Sequence, residues 1–409
     1  MVGAGIYSVI GAAGGEAGNY LWISFILSAV AALITVFSYA ELSSFLTKAG
    51  AEYQFLKAAF PRIRLFAFMA GFLIALNATA TSATVALAFA GYLNVFVEVP
   101  IIAAAFLLLV LCTILNIIGI KQATWVGITL IVVEVAGLLL IIYGGFTSGD
   151  TSRAFASTPG MGDVAGIFTA TALIFFIYVG FEDVANLSEE VKEPKRNVPR
   201  ALLISVIITS IIYVLVAIAV ISLVDPKTLA SSKSPLTQAL GNISPWMGDC
   251  LAVAALFATA STALISLISI SRLLYGMARE GDMPSILSKI LPKRKTPYVA
   301  GLALFGAACL LLPLGDVKIT AGVSSFGVIS VFIAVQAAVI ALRYKRPTAK
   351  RSFNVPISIG KFPVLPAVGI LISLALLTRF EQIVYIIGFG TMAAGVIIFL
   401  IHEKMRKVS

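Results

Sequence analysis

Of the 409 residues, 60% are hydrophobic and 12% are charged, whereas ordinary soluble domains carry roughly 25% charged residues. A soluble globular protein is thereby excluded, and the net charge of +10 has to be explained by distribution before any nucleic-acid partner is invoked. Three isolated cysteines, Cys112, Cys250 and Cys309, and a single histidine, His402, argue against a disulfide framework and against a His-based metal or catalytic site.

In chain order, a short apolar fragment at 1–13 precedes spans near 20–46, 66–92, 100–118, 126–146, 164–186, 202–224, 247–276, 298–314, 320–342, 363–378 and 382–401. Stretches of about 20 apolar residues are long enough to cross roughly 30 Å of hydrocarbon as helices. The sequence therefore predicts an all-α, multi-pass protein whose partner is the lipid bilayer. If the fragment starts inside, all but five of the 29 Lys and Arg fall in alternate, cytoplasmic loops and the C-terminal tail, and the five are Arg153, Lys227, Lys233, Lys318 and Arg379. That asymmetry is the positive-inside rule, and it puts the C-terminus in the cytoplasm with no need for nucleic acid.

The fragment begins "MVGAGIYSVIG", without the basic region of a signal peptide. Glycine and polar groups interrupt two apolar segments, "GAGIYSVIG" at 3–11 and "FFIYVGFED" at 175–183, five spans apart. Gly11 and Gly15 also fit plain close packing of helices. Two broken helices in matching positions of two halves are how inverted-repeat transporters build a mid-membrane site, because unwound backbone is tolerated at that depth only against protein or a wet cavity. The third span, "LNATATSATVALAF", and the eighth, "ALFATASTALISLIS", carry small residues that leave room for a side chain. Glu41, at the inner end of its span, is expected to anchor there or to pair with an Arg such as Arg272. The loop at 225–245 reads as polar and external, that at 343–362 as basic and internal, and the charged run from Glu189 to Arg196 as solvated.

"FFIYVGFEDVANLSEEVKEPKRNVPRAL", 175–202, resembles the amino acid–polyamine–organocation superfamily of secondary transporters. "GAGIY", "SYAELSSFLTKAGAEYQFL", "NIIGIKQATWVGI" and "SRLLYGMAREGDMPSILSKI" followed by "TPYVA" are similar to amino acid permeases in the same order. The resemblance implies one transmembrane domain over 1–409. Within it are two inverted five-helix repeats, about 1–146 and 164–342, and two extra helices at about 363–401. The first helix would lack its N-terminal half, because the motif starts at Gly3. It also implies that Gly3, Ala4, Gly5 and Ile6 form an unwound stretch whose N–H groups take a substrate α-carboxylate. Ala4 stands where many relatives have serine. Carbonyls around Phe176, Ile177 and Val179 would accept an α-ammonium, with the Phe176 ring as lid and Tyr178 and Gly180 in the same unwound turn.

Glu134 lies mid-span in "GITLIVVEVAGLLLII", where many relatives have lysine. A charged residue at bilayer centre costs on the order of 2.5–3.5 kcal/mol, so it faces the bundle interior and either pairs or holds a proton. Three roles follow. It couples transport to protons, it coordinates a cation such as sodium with Ser261 and Thr262, or it stays protonated against a neighbouring helix. Glu182 is a gate or relay, or else a solvated helix end. The expected function is a non-enzymatic, proton-coupled secondary transporter of amino acids by alternating access. An uncoupled exchanger or a non-transporting sensor is the alternative. Neutral substrates are favoured over cationic ones because no acid clearly faces the side-chain end, and neither a cofactor nor an obligatory protein partner is evident.

Overall fold

The computed structural model describes residues 1–48, 50–118, 123–155, 160–186, 188, 191–232, 234–294, 296–314 and 316–408. Lys121, Lys233 and Lys295 of the charge asymmetry, part of the motif 116–128, and Glu189 and Glu190 of the charged run lie outside the described residues.

The described chain is almost wholly helical. Its membrane helices are α1 (Ala4–Ala17), α2 (Leu21–Ser43), α4 (Arg64–Leu93), α5 (Ile101–Ile118), α6 (Ala123–Ser148), α7 (Met161–Tyr178) with its short continuation α8 (Phe181–Asn186), α9 (Pro194–Leu223), α12 (Pro245–Arg279), α13 (Tyr298–Leu311), α14 (Val317–Lys345), α15 (Val364–Leu377) and α16 (Gln382–Val408). Among the described residues nine spans are long and apolar enough to cross a bilayer, with α1, a 3-10 turn and α2 counted as one. The expected spans at 298–314 and 363–378 are α13 and α15, of 14 residues each. At 1.5 Å per residue each reaches about 21 Å, short of a full hydrocarbon core.

Leu107, Leu111, Ile211, Leu371, Ile386 and Leu400 point outwards and are at least half exposed. With no water to satisfy backbone groups at that depth, such a surface needs unbroken helix beneath it. Small residues set the interior crossings: a Cβ at Gly145 of α6 would lie 2.4 Å from Ala219 Cβ on α9, the close approach expected of membrane helices. Four pairs of helices five spans apart pack together, α1 on α7, α2 on α9, α4 on α12 and α5 on α13.

Two connections differ from the sequence reading. The loop at 225–245 folds as α10 (Pro226–Ser231) and α11 (Pro235–Gly241), each with proline in its first turn, where no N–H is needed. Leu229, Leu236, Ala239 and Leu240 are fully buried, and the Leu229 carbonyl abuts Gly11, whose Cβ would lie 2.8 Å away. The loop is an ordered cap on α1, with Lys227, Thr228, Ala230 and Ser231 on its exposed side. The segment 346–363 is likewise docked, ending in a two-residue β-hairpin, β1 (Ser358–Ile359) with β2 (Phe362–Pro363).

Glu41 explains that docking, and its partner is not Arg272. Arg343 on α14 donates to both Glu41 oxygens, at 2.9 and 2.6 Å, Arg351 Nε lies 3.2 Å from Oε1, and the Val355 N–H donates at 2.8 Å. Glu41 is 1% exposed, and the arginine side chains are 11% and 7% exposed. Removing one member of a buried ion pair strands the others, at about 3–5 kcal/mol. Glu41→Ala is therefore expected to lose about that much stability in thermal unfolding, with the 346–363 segment becoming protease-sensitive. An unchanged melting temperature and digestion pattern would contradict it.

Candidate functional site

The sixth apolar span breaks after Tyr178. Val179 is extended and Gly180 takes φ +118°, a region L side chains rarely enter. A Cβ at Gly180 would meet nothing within 4 Å, so the glycine is there for backbone freedom and not for space. Gly180→Ala should cost about 1–3 kcal/mol through strain alone, read as a lowered melting temperature with the fold retained. An unshifted melting temperature would show that the turn tolerates L residues. The break leaves the last carbonyls of α7 without a following helical turn, although the Phe176 carbonyl accepts from the Val179 N–H at 3.3 Å. Glu182 steadies the far side, its Oε2 accepting from the Gly180 N–H at 2.8 Å.

α1 starts at Ala4, with only residues 1–3 outside the helix. The expected unwound stretch at 3–6 is not present: Ala4, Gly5 and Ile6 form the first helical turn, and Gly3 is its N-cap. First-turn N–H groups have no intrahelical acceptor. Ala4 N–H donates to Thr262 Oγ1 on α12 at 3.0 Å, while the Gly5 and Ile6 N–H groups retain the anion-binding character of a helix N-terminus. α1 and α7 touch here: a Cβ on Gly5 would sit 3.0 Å from Ile177 Cα.

A cavity of about 130 Å³ opens at this meeting point, with Gly3, Val179, Gly180, Glu182 and Thr262 in its wall. Asn77 and Thr81 of α4, Asp183, Ser266, Ser269 and the chain's first residue, Met1, also line it. Asn77 and Thr81 are linked through Ser324 of α14, which donates to Asn77 Oδ1 and lies 3.0 Å from Thr81 Oγ1. The sequence reading passed over Asn77 although an amide inside an apolar span is itself a signal. A second cavity, about 160 Å³, shares Ser269 and Ile270 with the first and extends towards the Lys- and Arg-rich face. A third cavity, about 610 Å³, lies at the opposite face beside Glu16 and Lys318 and shares no lining residue with the first. There Lys318 Nζ bridges Glu16 at 2.5 Å and Glu381 at 2.7 Å.

The remaining expected residues sit elsewhere. Phe176, Ile177 and Tyr178 are buried and helical. Tyr178 donates to the Phe25 carbonyl at 3.3 Å, and the Phe176 side chain does not line the cavity. Ala4, Gly5 and Ile6 reach it only through their helix end. Ser261 donates to Ala258 O within α12 at 3.0 Å, away from the wall. Glu182 is 4% exposed, so it is no solvated helix end. Glu134 is 1% exposed and also off the wall. Its Oε1 has no hydrogen-bond partner, and its backbone carbonyl accepts from the Tyr7 hydroxyl of α1 at 2.7 Å.

The amino acid permease family pattern matches residues 1–401. The chain belongs to that family. The permease is 28% identical to the branched-chain amino acid permease BcaP of Bacillus subtilis, with 99% of this chain and 90% of that one aligned. It is 29% identical to the vacuolar cationic amino acid transporter 4 of Arabidopsis thaliana, over 85% of this chain and 61% of the relative, and 27% identical to the methylthioribose transporter of Bacillus subtilis, over 100% and 91%. These relatives are named permeases and transporters, so the chain is a membrane transporter of amino acids and not an enzyme.

Proposed function

We propose that the permease moves neutral amino acids by alternating access, driven by protons that bind Glu134. The carrying observation is that the N-terminal end of α1, at Ala4, and the broken C-terminal end of α7, at Tyr178, meet at one small cavity. The α1 N-terminus offers the Gly5 and Ile6 N–H groups and the positive end of a dipole, the Ala4 N–H being taken by Thr262; the α7 C-terminus offers its last carbonyls beyond Phe176 and the negative end. A zwitterion matches both at once. Glu182 and Asp183 lie beside the carbonyl end, where the ammonium belongs, and the α4 side of the wall is uncharged. The acids that the sequence reading did not place in the pocket thus serve the amine and leave the side chain a neutral surround.

Pairing of helices five positions apart supports two inverted repeats with α15 and α16 appended. The basic face is read as cytoplasmic, C-terminus included. On that reading the cavity communicates inwards through Ser269 and Ile270, while the Glu16–Lys318–Glu381 bridge stands at the outer vestibule. The test is uptake into proteoliposomes with an acid exterior, using leucine, alanine, serine, lysine and arginine in turn. Accumulation of a neutral amino acid that collapses with a protonophore is the expected result. Uptake confined to lysine and arginine would overturn the substrate assignment, and accumulation indifferent to the protonophore would overturn the coupling.

A further inference from the structure

Three carboxyls gather where α8, α2 and α3 (Ala51–Ala59) meet. Glu182 and Asp183 belong to the cavity wall. Glu52, on α3, is in the wall of neither the binding cavity nor the second cavity and is fully buried. The Tyr39 hydroxyl of α2 donates to Glu52 Oε1 at 3.0 Å, and Oε2 has no hydrogen-bond partner. α3 is tied directly to the broken span, because the Ala51 N–H donates to Asn186 Oδ1 on α8 at 2.6 Å.

A buried carboxylate with one oxygen unpartnered carries a desolvation penalty that its hydrogen bonds offset only in part, whereas a protonated carboxyl removes the charge. Among the described residues no cation is shown in an ion pair with Glu52, and Arg272 of α12 stands in the wall of the second cavity with Gly50, Tyr53 and Gln54. Arg64 of α4 is paired with Asp282, Arg343 of α14 with Glu41, Lys345 of α14 with the Ala59 carbonyl, and Lys57 of α3 itself with Glu280; Lys48 is exposed. The titratable groups facing Glu52 are Tyr39, Asp183 and Glu182, so deprotonation adds negative charge beside acids. Burial pushes the Glu52 carboxyl up to about 7.

α3 also stands where a latch would stand. Gly50, Tyr53 and Gln54 wall the second cavity, which joins the binding cavity at Ser269 and Ile270. We propose that Glu52 is a positioning residue for the transport cycle, a proton-operated latch that holds α3 against α8 and keeps the inner passage narrow until its proton leaves. The sign follows from linkage. Seated, Glu52 keeps its proton up to about pH 7; released into water it would keep it only to the ordinary 4.5. The seated state therefore binds the extra proton between those values. Seating is strongest below about pH 4.5, weakens through the window, and weakens no further above 7. The difference corresponds to a change of about a hundredfold or more in the seating equilibrium. Its meaning in the cycle rests on the cavity being the transport site, but seating itself can be read without any flux.

In a chain with Cys112, Cys250 and Cys309 replaced by alanine, Ser269→Cys reports the passage through labelling by a membrane-impermeant maleimide from the basic face. Rates are normalised at each pH to those of the unfolded chain, which removes the thiol's own titration. The normalised rate is expected to rise at least tenfold between pH 5 and 7.5. Glu52→Gln should make it low and flat, and Tyr39→Phe, by removing a hydrogen bond to the carboxylate, should move the midpoint upwards. A Glu52→Gln variant that keeps the original pH profile overturns the latch. Where that variant fails to fold, an unmoved midpoint in Tyr39→Phe overturns it equally. Because the readout is labelling, a wrong substrate assignment and a wrong latch give separate failures.

Discussion

Glu134→Gln is expected to abolish proton-driven accumulation while leaving exchange of substrate across the membrane within a few-fold of the unmodified permease. One pH unit is worth 1.36 kcal/mol, so a one-to-one symporter concentrates its substrate about tenfold per unit of gradient. The variant should settle at a ratio near one. The isosteric amide suits this test because Glu134 is 1% exposed with Oε1 unpartnered, and a neutral side chain of the same shape preserves packing. The link from acid to site is short. Tyr7, one turn into α1 from Ala4, donates to the Glu134 carbonyl at 2.7 Å, and the Tyr92 hydroxyl donates to the Tyr7 carbonyl at 2.6 Å. Ionising Glu134 places a charge against the helix whose N-terminus faces the cavity. Steady-state accumulation of a labelled neutral amino acid against imposed pH gradients is the measurement. Retention of the tenfold ratio by the glutamine variant would remove Glu134 from the coupling step.

The sequence showed the helices and the break at Gly180, because each has a local cause. Spans follow from uninterrupted apolar length, and the break follows from a glycine flanked by apolar and acidic residues within one span. What stayed hidden depends on pairings distant in sequence. Glu41 binds Arg343 and Arg351, about 300 residues away, and a list of basic residues in one face's loops cannot rank them. Asn77 reaches the cavity because α4 packs on α12 and α14, a matter of helix rotation that an evenly apolar span does not reveal. Phe176 shows the converse. A family-like residue one turn before the break is directed into the core, because the helix persists to Tyr178. Nothing local in the sequence marks Glu52 as buried; the packing of α3 on α4, α14 and α8 buries it.

The crossing of α1 and α7 sets the second large effect. Gly5→Val is expected to reduce kcat/KM for transport by about a hundredfold, since a displacement near 1 Å is enough to cost that much when two groups must be engaged together. A Cβ at position 5 would lie 3.0 Å from Ile177 Cα and 3.6 Å from Ile177 Cβ and Cγ2. The nearest obstacle is backbone, so the two helices must separate, and the N–H end and carbonyl end then no longer fit one zwitterion. Gly5→Ala asks for a few tenths of an ångström and should fall between valine and glycine. Overpacking of this kind also destabilises, by about 1–3 kcal/mol, so melting temperature is followed alongside uptake. Two other glycines separate the causes. Gly166, where a Cβ would lie 2.2 Å from the Glu16 carbonyl, should lose stability as alanine in rough proportion to its loss of uptake. Gly241, with nothing within 4 Å of a Cβ, should lose neither. If Gly5→Val tracks Gly166→Ala, with uptake falling only as far as folded protein falls, the crossing is structural. If the folded variant is present and substrate affinity is gone, the spacing of the two helix ends is what the substrate measures.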